Sequence, residues 1–263
     1  MTVPFDFSGK AVFVSGGTSG INLGIAQAFA EAGARVGVMS RSQEKVDAAI
    51  DLLSRHGEQA IGFAADVRDY AAVESALKAA HGELGEFHVL ISGAAGNFPA
   101  KALGMSANAF KSVVDIDLMG TYHVLRAAYP LLIRPGASVI NISAPQAYIP
   151  MAYQMHVCAA KAGVDMITRV GALEWGGAGV RVNSVVPGPI EGTEGMARLA
   201  PTAESLARVT ESLPLKRLGT TRDVADCCLW LCSPMASFVT GAVIPVDGGS
   251  SLRGASDLGR VFD

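Results

Sequence analysis

The chain has 263 residues, with 21 Lys+Arg against 24 Asp+Glu, a net charge of −3 with His neutral. Hydrophobic residues make up 50% and charged ones 17%, which excludes a disordered chain and supplies a sizeable core. Mild acidity without a long basic run excludes a general binder of nucleic acid or of membrane surfaces. The length suits one domain over 1–263.

In chain order, short runs rich in Val and Ile predict strands near 11–15, 35–39, 60–64, 87–92, 137–143, 180–186 and 242–246. They show little strict alternation, as strands buried on both faces do. Helical patterns fall between them, near 21–33, 42–56, 70–81, 107–133, 153–176 and 222–233. Strand–helix repetition of this kind predicts an α/β fold: a single Rossmann-type, doubly wound parallel sheet of about seven strands flanked by helices. The segment 188–215 has no strand pattern, carries mixed charge and contains Pro189, Pro201 and Pro214. It is too long for an ordinary connection and reads as a substrate-binding loop or lid.

The longest stretch free of Asp, Glu, Lys and Arg runs from Pro135 to Ala160. Pro145, Pro150, Gly136, Asn141, Gln146 and Gln154 make it a poor membrane helix. The region around Phe5, Asp6, Phe7 and Lys10 lacks the plan of a signal peptide, and Val261-Phe262-Asp263 is no recognisable address signal. Cys158, Cys227, Cys228 and Cys232 lack metal-ligand spacing and read as small apolar packers in a reducing cytoplasm. No metal site is expected.

The first strand runs into Ser15-Gly16-Gly17-Thr18-Ser19-Gly20-Ile21-Asn22-Leu23-Gly24, and a helix follows at once. Glycines here let backbone approach a pyrophosphate, whose charge the helix N-terminus favours. The second strand ends in Met39-Ser40-Arg41, with no acid between 37 and 43. A guanidinium suits a 2′-phosphate better than a ribose hydroxyl, so the expected cofactor is NADPH/NADP+. Asp66-Val67 either brackets the adenine edge, or Asp66 caps the helix that follows.

Gly16-x-x-x-Gly20, Asp66-Val67, Lys161, Pro187-Gly188, Val239-Thr240-Gly241 and Val246-Asp247-Gly248-Gly249, in that order, resemble the short-chain dehydrogenase/reductase family over about residues 8–250. The resemblance implies a single Rossmann domain that binds NAD(P)(H) and forms dimers or tetramers. By the same resemblance the cofactor is held by Gly16, Thr18, Ser19, Gly20, Ile21, Ser40, Arg41, Asp66, Val67, Ala94, Lys161, Pro187, Gly188 and Ile190. Asn22 stands where the family has its third glycine, and its side-chain amide is a candidate donor to the pyrophosphate.

The family's Tyr, four residues before the Lys, is Val157 here, and its Ser is Ala144. Only Lys161 of those three is present, which the resemblance assigns to the ribose hydroxyls. Val157 cannot move a proton, so ordinary alcohol–ketone chemistry loses its acid. Ala94-Ala95-Gly96-Asn97-Phe98, Asp115-Ile116-Asp117, His156, Pro187-Gly188-Pro189-Ile190 and Gly192-Thr193-Glu194-Gly195 resemble the NADPH-dependent 2,4-dienoyl-CoA reductases, the peroxisomal type most. That likeness implies an acyl-CoA thioester substrate and a homo-oligomer.

Asp117 can be weighed apart from the likeness. Phe110, Val113, Val114, Thr121, Val124, Leu125 and Ala128 recur at helical spacing, with Asp117 inside their stripe and Asp115 outside it. A carboxylate facing a core is costly unless it is bonded or keeps its proton. Asp117 is therefore either an acid kept protonated for catalysis, which the resemblance places in a proton relay with Lys161, or a structural Asp bonded to backbone. Tyr148 and Tyr153 are candidates to line the pocket or replace the missing phenol, and His156 is a weaker acid candidate on another helix face. Trp175 and Trp230 read as core or interface aromatics. Arg198, Arg208, Lys216 and Arg217 either meet CoA phosphates or are solvated charges. Three functions compete: a dienoyl thioester reductase, a carbonyl reductase with a substitute Tyr, and a nucleotide-binding protein without catalysis.

Overall fold

A computed structural model of the chain describes residues 5–56 and 59–252. Val261-Phe262-Asp263, read above for an address signal, lies outside the described residues. Seven strands, β1 (Ala11–Ser15), β2 (Arg35–Ser40), β3 (Ala60–Ala64), β4 (Phe87–Ser92), β5 (Ser138–Ile142), β6 (Arg181–Pro187) and β7 (Val243–Val246), form one sheet. Their order is β3-β2-β1-β4-β5-β6-β7 and every pairing is parallel. All seven carboxyl ends therefore share one edge. The order turns between β1 and β4, and the crevice above that switch is where α/β sheets take ligands.

The sequence explains the layers. β1 is buried at all five positions, and alternate residues serve opposite faces. Val12 and Val14 pack with Ile25 and Phe29 of α1 (Gly20–Glu31), Ala49 and Leu53 of α2 (Gln43–Leu53), and Val224, Cys228 and Leu229 of α9 (Thr221–Cys232). Ala11 and Phe13 pack with Val73 and Leu77 of α3 (Tyr70–Leu84) and Val124 and Leu125 of α5 (Gly120–Ala128). Fully burying one such side chain stabilises by about 1.5–3 kcal/mol. Cys228 and Cys232 are buried in the first of these cores, and burial pushes the Cys232 thiol up to about 12, which suits a packing role.

Two expectations change. The helix foreseen over 107–133 is divided. α4 (Ala107–Val114), capped by Ser106, runs into a wide π turn at Asp115–Met119, and α5 continues from it. The Gly120 N–H donates to the Asp115 carbonyl, five residues back. A Cβ on Gly120 would lie 2.7 Å from Val67, so a glycine lets the helix pass that loop. The segment 188–215 is largely helical, with α7 (Glu194–Leu199) and α8 (Ala203–Ser212) capped by Thr193 and Thr202. Its prolines bound these helices instead of breaking them, and Ala, Glu, Leu and Arg inside them favour helix. The remaining long helix, α6 (Met155–Trp175), carries Lys161.

Candidate active site

The turn from β1 into α1 forms a backbone cradle. Gly16 has φ +76, and a Cβ there would sit 2.8 Å from the Ala94 backbone. Only glycine brings this turn and the exit of β4 so close. Ser19 is the N-cap of α1, yet its side chain makes no capping bond. Thr18 is buried, Ile21 half-buried, and Gly20 has φ +54. At the end of β2, Ser40 Oγ is buried without a partner, and Arg41 beyond it is exposed. The exposed α1 N-terminus, the orphaned hydroxyl and the free guanidinium together fit a dinucleotide phosphate chain.

Asp66, after β3, accepts from the Arg68 backbone N–H at 3.0 Å and from the Arg68 guanidinium at 2.6 Å. Arg68, and the Arg41 charge more weakly, hold its carboxyl below the ordinary range. It does not cap the next helix. Asp69 does, accepting from the Ala72 N–H at 3.1 Å. Val67 is buried. Pro187 ends β6, a Cβ on Gly188 would meet Asp247 at 2.5 Å, and buried Ile190 pairs as a bridge with Gly219.

Asn22 departs from expectation. Its Nδ2 donates to the Gly93 carbonyl at 2.7 Å, while the Gly93 N–H donates to the Ser15 carbonyl at 3.1 Å. The amide fastens β1 to β4 and is not aimed at a pyrophosphate, because Gly93 comes so near that its carbonyl takes the donor.

Asp117 and Lys161 meet. Asp117 is 1% exposed, and its Oδ1 accepts from the Gly96 N–H at 2.7 Å. Its Oδ2 lies 3.4 Å from Lys161 Nζ, an ion-pair distance without hydrogen-bond geometry. Lys161 Nζ donates to the Ile142 carbonyl at 3.0 Å. The π turn contributes here, since the Thr121 hydroxyl donates to the Asp117 carbonyl at 2.6 Å and steadies the widened backbone. Asp115, outside the stripe, pairs with Lys111. The pair is buried, so breaking it by removing one partner is costly. Val157, one helix turn before Lys161, is buried, and Ala144 follows the end of β5.

Other candidates lie apart from this pair. Tyr148 and Tyr153 are about half exposed, and neither bonds to Lys161 or Asp117 among the described residues. Burial, with Asp247 and Asp165 nearby, pushes the Tyr148 phenol up. His156 is buried, its Nδ1 accepts the Val157 N–H at 2.9 Å, and its ring meets Phe98 edge-on. Arg198, Arg208, Lys216 and Arg217 each pair with a carboxylate, Glu194, Glu204, Glu211 and Asp223 respectively. Trp175 packs on Tyr129.

Sequence reasoning missed a group of amides. Gln154 Oε1 accepts from Asn97 Nδ2 at 3.3 Å and from Gln146 Nε2 at 3.0 Å. Gln146 and Gln154 are buried. The signal in the sequence is two glutamines, Gln146 and Gln154, inside a stretch free of charged residues. Among the described residues no cluster of His, Cys, Asp or Glu could hold a metal, and no helix is long and apolar enough to cross a membrane.

Known proteins match this arrangement. The profile of the family described as enoyl-(acyl carrier protein) reductase, within the short-chain dehydrogenases, matches residues 16–251. The peroxisomal 2,4-dienoyl-CoA reductase of Rattus norvegicus is 43% identical over 257 residues, 97% of this chain and 88% of its own. The Saccharomyces cerevisiae protein of the same description is 39% identical, covering 92% and 84%. An NADPH-bound short-chain oxidoreductase structure from Pseudomonas aeruginosa PAO1, said to contain an atypical catalytic centre, has a TM-score of 0.89. It shares 30% identity and aligns over 95% of this chain and 100% of its own. Sheet order, glycine cradle and buried lysine thus agree with these likenesses, and the chain belongs to the short-chain dehydrogenase/reductase family.

Proposed function

We propose that the chain reduces 2,4-dienoyl-CoA thioesters with NADPH, a reaction of fatty-acid oxidation. The relatives named for that activity support it. The observation that carries it is the buried Asp117–Lys161 pair, one helix turn from a valine where a carbonyl reductase needs a phenol. A ketone requires a proton on its own oxygen as hydride arrives. A conjugated thioester does not, because charge spreads to the thioester oxygen and a proton returns later to carbon.

The cofactor would lie along the cradle of Gly16, Thr18, Ser19, Gly20 and Ile21, its adenosine end beside Ser40, Arg41, Asp66 and Val67. Ala94, Lys161, Pro187, Gly188 and Ile190 would hold the nicotinamide half. When bound, the dihydronicotinamide supplies hydride to the far end of the diene. Arg41 supports the phosphorylated cofactor, since its guanidinium is exposed and forms no ion pair among the described residues.

Asp117 and Lys161 act as one proton-holding pair. Gly96 fixes Oδ1, so Oδ2, the oxygen without a hydrogen bond, is the atom that takes up a proton from solvent water and passes it on, through water, to carbon, ending as the carboxylate again. Lys161 keeps a positive charge near the developing negative one. Segment 188–215 acts as the lid, tied to the site loop through Arg198 and Asn97. Exposed Met119 and Tyr122, in and after the π turn, and Met166, Val170 and Leu173 of α6, which packs against that turn, support a dimer or tetramer. Four free thiols suit a reducing compartment such as the cytoplasm; the peroxisomal description is that of the relatives.

NADPH oxidation with a dienoyl-CoA and with a panel of ketones tests the proposal. Fast turnover of the diene and none of the ketones is expected. Equal turnover of a 3-ketoacyl thioester would favour a substitute Tyr, and no turnover at all would favour a protein without catalysis.

A further inference from the structure

Building on the proposed dienoyl reaction, we propose that Gln154 supplies a hydrogen bond to the substrate's thioester oxygen, in a chain that has Val157 where the family's Tyr stands. Gln154 immediately precedes α6, at positions i, i+3 and i+7 with Val157 and Lys161. Val157 and Lys161 share one helix face, and Gln154 caps the same helix at its N-terminal end, about 10 Å along the axis from Lys161. Val157, between the two polar residues, carries no hydrogen-bonding group.

The loop after β4 brings the amide to the same place. Two consecutive loop residues tie the two halves of the site together. Gly96 donates to Asp117 Oδ1, and Asn97 donates to Gln154 Oε1. The Gln154 amide and the Asp117 carboxylate are thus held by neighbouring residues of one loop.

The Gln154 amide is engaged on one side. Asn97 Nδ2 and Gln146 Nε2 both point at Gln154 Oε1, which turns Gln154 Nε2 away from them. Gln154 is 2% exposed, yet among the described residues no group accepts from its Nε2. A buried amide with its oxygen doubly bonded and its nitrogen free is a prepared donor. Donors accepted at the oxygen draw density from the nitrogen and strengthen the N–H groups. Negative charge develops on the thioester oxygen as hydride adds, and a donor fixed in advance stabilises that charge without reorganising. The neutrality of the side chain suits the role. An amide polarises the thioester without delivering a proton to oxygen, and so leaves protonation to carbon.

The test needs a readout besides turnover. A dienoyl-CoA bound with NADP+ cannot react, and a hydrogen bond to its carbonyl moves the conjugated near-ultraviolet band to longer wavelength. The unmutated protein is expected to show that shift. Gln154→Glu keeps the side-chain length and the oxygen that Asn97 and Gln146 reach, but replaces the free NH2 by an acceptor. It is expected to lose the shift and to lower kcat about 100-fold or more, with NADPH affinity unchanged. Gln154→Met, neutral and of similar length, repeats the measurement if the Glu variant melts early.

Retention of the shift and of kcat within threefold in the folded variants overturns the inference. So does loss of the shift in Asn97→Ala but not in Gln154→Glu, which would make Asn97 the donor. If the unmutated protein turns over no dienoyl thioester at all, the reaction assignment itself fails and takes the role of Gln154 with it.

Discussion

Arg198 of α7 donates a hydrogen bond at 2.9 Å to the backbone carbonyl of Asn97, 101 residues earlier in the chain. The bond joins the lid segment to the loop that also fixes Asp117 and Gln154. Arg198 pairs at the same time with Glu194. Both interactions are solvent-exposed, so the latch is worth at most about 1 kcal/mol. Arg198→Ala should raise KM for the thioester about 3- to 5-fold and change kcat less than twofold. Steady-state kinetics at fixed NADPH check this, and an unchanged KM would show that α7 does not cover the substrate.

Cofactor choice follows from Arg41. NADPH should bind at least about tenfold tighter than NADH, a difference of roughly 1.4 kcal/mol. Arg41→Asp should remove the preference while leaving the fold intact, because the side chain is exposed. Calorimetric titration with both dinucleotides decides it. Equal affinities in the unmutated protein would remove Arg41 from the 2′-phosphate.

The Asp117–Lys161 pair separates structure from chemistry by variant. Asp117→Ala leaves a buried ammonium without its carboxylate and should cost about 3–5 kcal/mol of stability. Asp117→Asn preserves an oxygen for the Gly96 N–H and cannot ionise. It should fold, bind NADPH normally and lose about 10²–10⁴ in kcat. A folded Asn variant working at the unmutated rate would falsify the relay.

Acid stability should depend on Asp223. Its carboxylate takes two bonds from Arg217 and caps α9 from its third position, and these partners hold its carboxyl far below the ordinary range. A lowered folded value means the contribution is complete above the unfolded carboxylate range, near 3.9, and declines as pH falls below it. Thermal melts from pH 7 to pH 2.5 should show Asp223→Asn less stable than the unmutated protein at pH 7. The gap should narrow below about pH 4. A gap that stays constant over that range would mean that the carboxylate's charge contributes nothing.

The strands were readable because a strand buried on both faces must be a short apolar run, whatever its neighbours. β1, β3 and β4 have the expected bounds, and the other four differ by one residue at one or both ends. The inward placement of Asp117 was readable for a related reason, since one carboxylate interrupts an apolar stripe. Three features were not readable. The role of Asn22 depends on how closely Gly93 approaches from 71 residues away. The amide group joins Asn97 to Gln154 across 57 residues, a pairing that no local pattern encodes. The lid helices bury little, and with few apolar residues to fix a phase their periodicity resembled a loop.

The π turn at Asp115–Met119 has a consequence for insertions and deletions. A five-residue ring holds one residue more than an α turn. Removing a single residue there would close the turn to an ordinary helix and leave the flanking faces nearly in phase, since the wide turn is what absorbs the extra residue. Removing one from within α4 or α5 would instead rotate one helix by about 100° against the other, and Val113 or Asp117 would leave its place. A deletion at exposed Pro201, between α7 and α8, should shift little. Along this chain, tolerance of a lost residue is thus a matter of angular bookkeeping, and one widened turn marks where a frame of side chains is held in step with the next.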